Sequence, residues 1–124
     1  MNRKQLAIDF AKSLNHPEIE KIILFGSVAR GDDTEDSDID ILIITTNIDD
    51  DLKIEDDIYG KTFDILLETG EYLSVKIIHL KHYQRYSNFH FYKNVKKEGI
   101  SIGWRNQNGI WKVFRTFKSS WTNF

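Results

Sequence analysis

An α/β sandwich is the fold class the sequence predicts, and three observations carry it. Segments with helical apolar spacing alternate with short β-rich runs, and glycines or polar loops punctuate them. The chain, 124 residues with 40% apolar and 13% aromatic content, is also long enough to fill one core. These features predict one domain over residues 1–103, followed by an aromatic and basic tail over 104–124.

Residues 2–14 place Leu6, Ile8, Phe10, Ala11 and Leu14 at helical spacings, and Asn15, His16 and Pro17 end that helix. Residues 21–25 are a β-rich run that stops at Gly26-Ser27. Val28, Ala29 and Arg30 then form an unusually short helix before Gly31 and a polar loop over 32–37. Residues 38–45 read as the second strand. A helix over about 50–69 carries Leu52, Ile54, Ile58, Phe63, Ile65, Leu66 and Leu67 and ends at Gly70, a residue suited to a left-handed terminus. Residues 72–79 form a third strand, 80–86 a helical turn, and 89–98 a last helix closed by Gly99. The order is αβαβαβα, without internal repeat or low-complexity tract.

Composition narrows the function. No apolar run approaches the ~18 residues of a membrane span, and no charged-then-apolar leader opens the chain. The absence of cysteine excludes disulfide scaffolds, thiolate nucleophiles and cysteine-ligated zinc, and makes a cytoplasmic location the default expectation. A net charge of −2 argues against general nucleic-acid binding. Charge is unevenly placed: residues 32–57 hold twelve acids against Lys53, while 104–124 hold four bases and no acid. Carboxylates set among Ile and Leu in this way call for a cation.

The strongest local feature is Phe25-Gly26-Ser27, then ten residues, then Asp38-Ile39-Asp40. Strand alternation puts Asp38, Asp40, Leu42 and Ile44 on one face and Ile39, Ile41 and Ile43 on the other. Two carboxylates on one partly apolar face repel each other unless a cation sits between them, and Mg²⁺, oxygen-bound and shared with phosphates, fits that need. Gly26 lets backbone approach a phosphate, Ser27 can cap the short helix or donate to a phosphate oxygen, and Arg30 can add a charged contact. Each element alone is an ordinary turn, acid or surface base. Their order, strand–turn–short helix–strand, is what points to a nucleotide.

The run from Gly26 through Asp40 closely resembles the signature of the DNA polymerase β-like nucleotidyltransferase superfamily, and most of all its small stand-alone minimal nucleotidyltransferases. That resemblance spans roughly residues 1–103. It implies a mixed sheet with helices packed on it and transfer of a nucleoside monophosphate from a nucleoside triphosphate to a hydroxyl, with loss of pyrophosphate. By the same resemblance Asp38 and Asp40 are catalytic and hold two Mg²⁺ ions, while Gly26 and Ser27 bind the β- and γ-phosphates of ATP. It further implies an antitoxin role toward a protein partner, a helical HEPN-type toxin, by AMP transfer or by direct binding. One departure stands out. Active members carry a third carboxylate on the strand after the long helix, whereas residues 72–80 contain no Asp or Glu and include Lys76. Glu68, Glu71 or a partner residue could supply it; alternatively the chain is a weakly active or inactive module that acts by binding.

The remaining features point to packing or partners. His16, His79, His82 and His90 lack metal-ligand spacing. Tyr83, Tyr86, Phe89, Phe91 and Tyr92 read as core or partner face rather than a base-stacking strip. Trp104, Trp111, Phe114, Phe117, Trp121 and Phe124, with Arg105, Lys112, Arg115 and Lys118, read as a tail folded on the sheet, a disordered end or a partner-binding segment.

Overall fold

Five strands pair into one mixed sheet: β1 (Ile19–Phe25), β2 (Ile39–Thr45), β3 (Leu73–His79), β4 (Ile100–Arg105) and β5 (Trp111–Val113), in spatial order β3-β2-β1-β4-β5. The computed structural model describes residues 2–46 and 51–114. β2 and β3 run parallel, and the other three pairs are antiparallel. The parallel pair requires a crossover, supplied by α3 (Asp51–Thr69). The other helices are α1 (Arg3–Ser13), the five-residue α2 (Gly26–Arg30), α4 (Leu80–Arg85) and α5 (His90–Glu98).

Both faces of the sheet are covered, which is why β2 is nearly continuously apolar: Ile39, Ile41, Leu42, Ile43 and Ile44 are all buried. Ile39, Ile41 and Ile43 join Ile22, Leu24 and Ile102 in a core closed by Ala7, Ile8, Phe10 and Ala11 of α1 and Ile54 and Ile58 of α3. Leu42 and Ile44 face the other way, against Ile23 and Val95 of α5, with Phe25, Leu80, Tyr83 and Phe91 packed around them. The predicted alternation along β2 therefore holds on both faces, and Asp40 lies on the α5 side. Gly70 ends α3 with φ +75°, and its N–H donates to the Leu66 carbonyl at 2.9 Å.

The sheet is wider than the three strands read from the sequence. β4 contains Gly103, a weak strand former, and β5 is only three residues long, so neither gave a period-2 signal. Gly103 is there for contact: a Cβ on it would lie 2.6 Å from the Trp111 ring. Trp104 and Arg105 belong to β4, so a boundary between 103 and 104 falls inside a paired strand. Trp104 and Phe114 make an edge contact at 5.2 Å. The tail residues Arg115, Phe117, Lys118, Trp121 and Phe124 lie outside the described residues.

Candidate active site

The antiparallel register of β1 and β2 makes Phe25 the partner of Asp40, so the chain leaves β1 directly beside that carboxylate. Gly26 turns it with φ +75°, and a Cβ there would overlap Asp40 Oδ2 and come within 3.1 Å of its Cγ. The missing side chain thus lets the Asp40 carboxylate lie against the turn. Ser27 follows in the first turn of α2. That helix closes at Gly31, with the N–H groups of Gly31 and Asp32 donating to the Ser27 carbonyl at 2.9 and 3.1 Å. Its N-cap position is Phe25, which offers no side-chain acceptor.

The loop that delivers Asp38 is tied down locally and from a distance. The Thr34 N–H donates to Ser37 Oγ at 2.9 Å, and the Ser37 N–H donates to the Thr34 carbonyl at 3.1 Å. Arg3 of α1 reaches across to donate to Asp33 at 3.0 Å and to the carbonyls of Thr34 and Glu35, while its Nε pairs with Glu71 at 2.8 Å. No motif marks Arg3, because its partners are 30 to 68 residues away in sequence.

Asp38 is exposed and Asp40 is half-buried. Burial, and then the Asp38 charge, push the Asp40 carboxyl above the usual carboxylate range; Arg30 and Lys76 act the other way, and Glu98 adds to the rise. A positive charge between the two carboxylates would offset that repulsion. Asp38 and Asp40 are hard oxygen donors suited to Mg²⁺, but among the described residues no three His, Asp or Glu side chains cluster as a metal site. Glu71 is occupied by Arg3, and Asp64 and Glu68 are exposed on α3, so none of them supplies a third donor beside Asp40.

Arg30 is engaged by carboxylates: it donates to Glu98 at 2.9 Å and to Asp32 at 3.3 Å, and these bonds, that to Glu98 foremost, raise its pKa. Glu98 is the site neighbour that the sequence reading missed. Its one signal is an acid in the last turn of a helix otherwise ending in Lys96 and Lys97, where the helix dipole favours bases. On β3 the parallel register sets Ser74 opposite Asp40 and Lys76 opposite Leu42. The Lys76 ammonium lies 5.1 Å from the centre of the Phe91 ring, which meets Phe25 edge-on at 5.6 Å. Three of the histidines have local roles apart from this site: His16 contacts Asp57 at 2.6 Å, His82 contacts the Tyr92 hydroxyl at 2.8 Å, and His90 contacts Asn94 at 3.2 Å.

A strand ending in a glycine turn, a one-turn helix and a second strand with Asp38 just before it and Asp40 within it make up the arrangement expected of the nucleotidyltransferase fold. The chain belongs to the polymerase beta nucleotidyltransferase family, whose description matches residues 8–108. It is 38% identical over 107 residues to a Methanocaldococcus jannaschii protein named "Putative protein adenylyltransferase", covering 80% of this chain and 96% of that one. It also resembles a chain in the crystal structure of a toxin–antitoxin with AMP-PNP (TM-score 0.54, 19% identity, 88% of this chain and 78% of that one). A chain in a mutant of the toxin–antitoxin MntA-HpeT gives a TM-score of 0.53 at 17% identity, with the same coverage. At these identities the solved structures establish the fold, which is the mixed sheet with packed helices that the signature implies. Among the described residues no helix is long and apolar enough to cross a membrane.

Proposed function

We propose that this chain transfers AMP from Mg-ATP to a hydroxyl on a partner protein, and that the partner is a toxin, of HEPN type, which the transfer silences. The observation that carries the reading is the Asp40 carboxylate lying against the Gly26 turn: an oxygen donor of the kind Mg²⁺ takes sits beside a glycine backbone open to close approach. The relative named for protein adenylylation and the fold shared with toxin–antitoxin proteins support the choice of acceptor. So does α3, which exposes Leu52, Tyr59, Phe63 and Leu67 along one stripe, an apolar surface of the kind proteins use for one another.

In this reading Asp38 and Asp40 hold Mg²⁺, which offsets charge on the triphosphate. The Gly26 and Ser27 backbone, with the Ser27 hydroxyl, binds the β- and γ-phosphates, and Arg30 draws on the same charge while tethered to Glu98. The acceptor oxygen attacks the α-phosphorus, the bond to the bridging oxygen breaks, pyrophosphate departs, and the hydroxyl proton passes to solvent or to a group on the partner. A second reading, a module that silences its partner by binding alone, is favoured by the lack of a carboxylate on β3.

Incubation with the partner and ATP labelled at the α- or the γ-phosphate separates the two readings. Label from the α position alone, lost in Asp40→Ala, supports AMP transfer. Tight binding without label supports the second reading, and label from the γ position overturns the first.

A further inference from the structure

β3 offers Asp40 no acid, and what it offers instead is a cation held in place. Three contacts locate it. The parallel register puts Ser74 beside Asp40 and Lys76 one pleat further along the same face. The Lys76 ammonium lies over Phe91 at 5.1 Å, and Phe91 packs edge-on against Phe25, the residue paired with Asp40 and followed by Gly26. The ammonium therefore lies over a ring whose edge-on partner, Phe25, immediately precedes the Gly26 turn.

From this arrangement we propose that the site takes one divalent cation, held with the triphosphate by Asp38 and Asp40, and that the Lys76 ammonium occupies the place a second cation would need. The inference rests on the nucleotide-binding reading above and changes its stoichiometry. A second Mg²⁺ would find only carboxylates already shared with the first, and would meet the positive charge of Lys76 on the neighbouring strand. Carboxylates elsewhere do not rescue it: Glu71 is paired with Arg3, and Glu98 with Arg30. Lysine here supplies part of the charge of a metal ion without needing a third ligand, at the cost of a group able to accept the acceptor's proton.

The measurement is a count of bound ions. The full chain is loaded with Mn²⁺ and a non-hydrolysable ATP analogue, freed of unbound analogue and metal by rapid desalting, and its retained Mn²⁺ is released with acid and counted by electron paramagnetic resonance. The wild type is expected to bind one Mn²⁺ per chain and Lys76→Asp two. Lys76 is exposed on an edge strand, so the substitution leaves the core untouched, and the wild-type count stands even if the variant fails to fold. Two ions in the wild type overturn this inference while leaving the nucleotide reading intact. One ion in a folded Lys76→Asp removes Lys76 from the second position. No Mn²⁺ retained with the analogue overturns the nucleotide reading and this inference with it.

Discussion

Replacing Gly26 with alanine tests the contact on which the site is built, because its cost divides into two separable parts. The first is backbone: Gly26 sits at φ +75°, and a residue with a Cβ pays roughly 1–2 kcal/mol to remain there. The second is collision: the new methyl would overlap Asp40 Oδ2, and turning that carboxylate off its rotamer costs about 0.5–1.5 kcal/mol. Gly26→Ala should therefore lose about 2–3 kcal/mol, lowering Tm on the order of 10 °C for a domain of this size. In an Asp40→Ala background only the Cβ, at 3.3 Å, remains near the methyl, so the same substitution should cost the backbone part alone. Urea denaturation of the four proteins as a double-mutant cycle should give a coupling of about 0.5–1.5 kcal/mol. Additivity within about 0.3 kcal/mol would show that the carboxylate does not lie against the turn, and would refute the reasoning.

Other substitutions probe the surrounding charges. Burial raises the Asp40 carboxyl pKa, so this group costs stability once pH exceeds its unfolded value and costs nothing below it. Asp40→Asn should thus melt higher than wild type at pH 7, with the gap closing by about pH 3, as thermal scans across pH would show. Glu98→Gln releases Arg30 from its shorter ion pair and should tighten ATP binding by about 2–5-fold, the worth of an exposed pair, measured by fluorescence titration. Arg3→Ala removes bonds from a guanidinium only 14% exposed and should cost about 1–3 kcal/mol in chemical denaturation, with weaker ATP binding as the 33–35 loop loses its tether.

What could be read from the sequence follows from the range of each interaction. β2 announces itself by alternation because both its faces are buried, and the Gly26 turn announces itself because glycine is needed at one backbone position. β4 and β5 leave no such trace: Gly103 interrupts the first, and the second is defined by pairing with a strand that was itself missed. The site shows the same division. Gly26, Ser27, Asp38 and Asp40 fall within one short stretch and could be found by spacing. Arg3 and Glu98 reach the site from α1 and α5, and only the fold brings them there. Lys76 was visible as a departure, but its anchoring on Phe91 was not.

Calorimetric titration of ATP into the wild type and Asp40→Ala, each with and without Mg²⁺, tests the central claim that Asp38 and Asp40 hold a cation against a triphosphate bound at the Gly26 turn. The account predicts that the wild type loses at least about tenfold in affinity when the metal is withdrawn, since a charged contact of this kind is worth about 1.5–3 kcal/mol. Asp40→Ala should bind weakly and almost equally in both conditions. Equal wild-type affinity with and without Mg²⁺ would contradict the account and remove both aspartates from the nucleotide site.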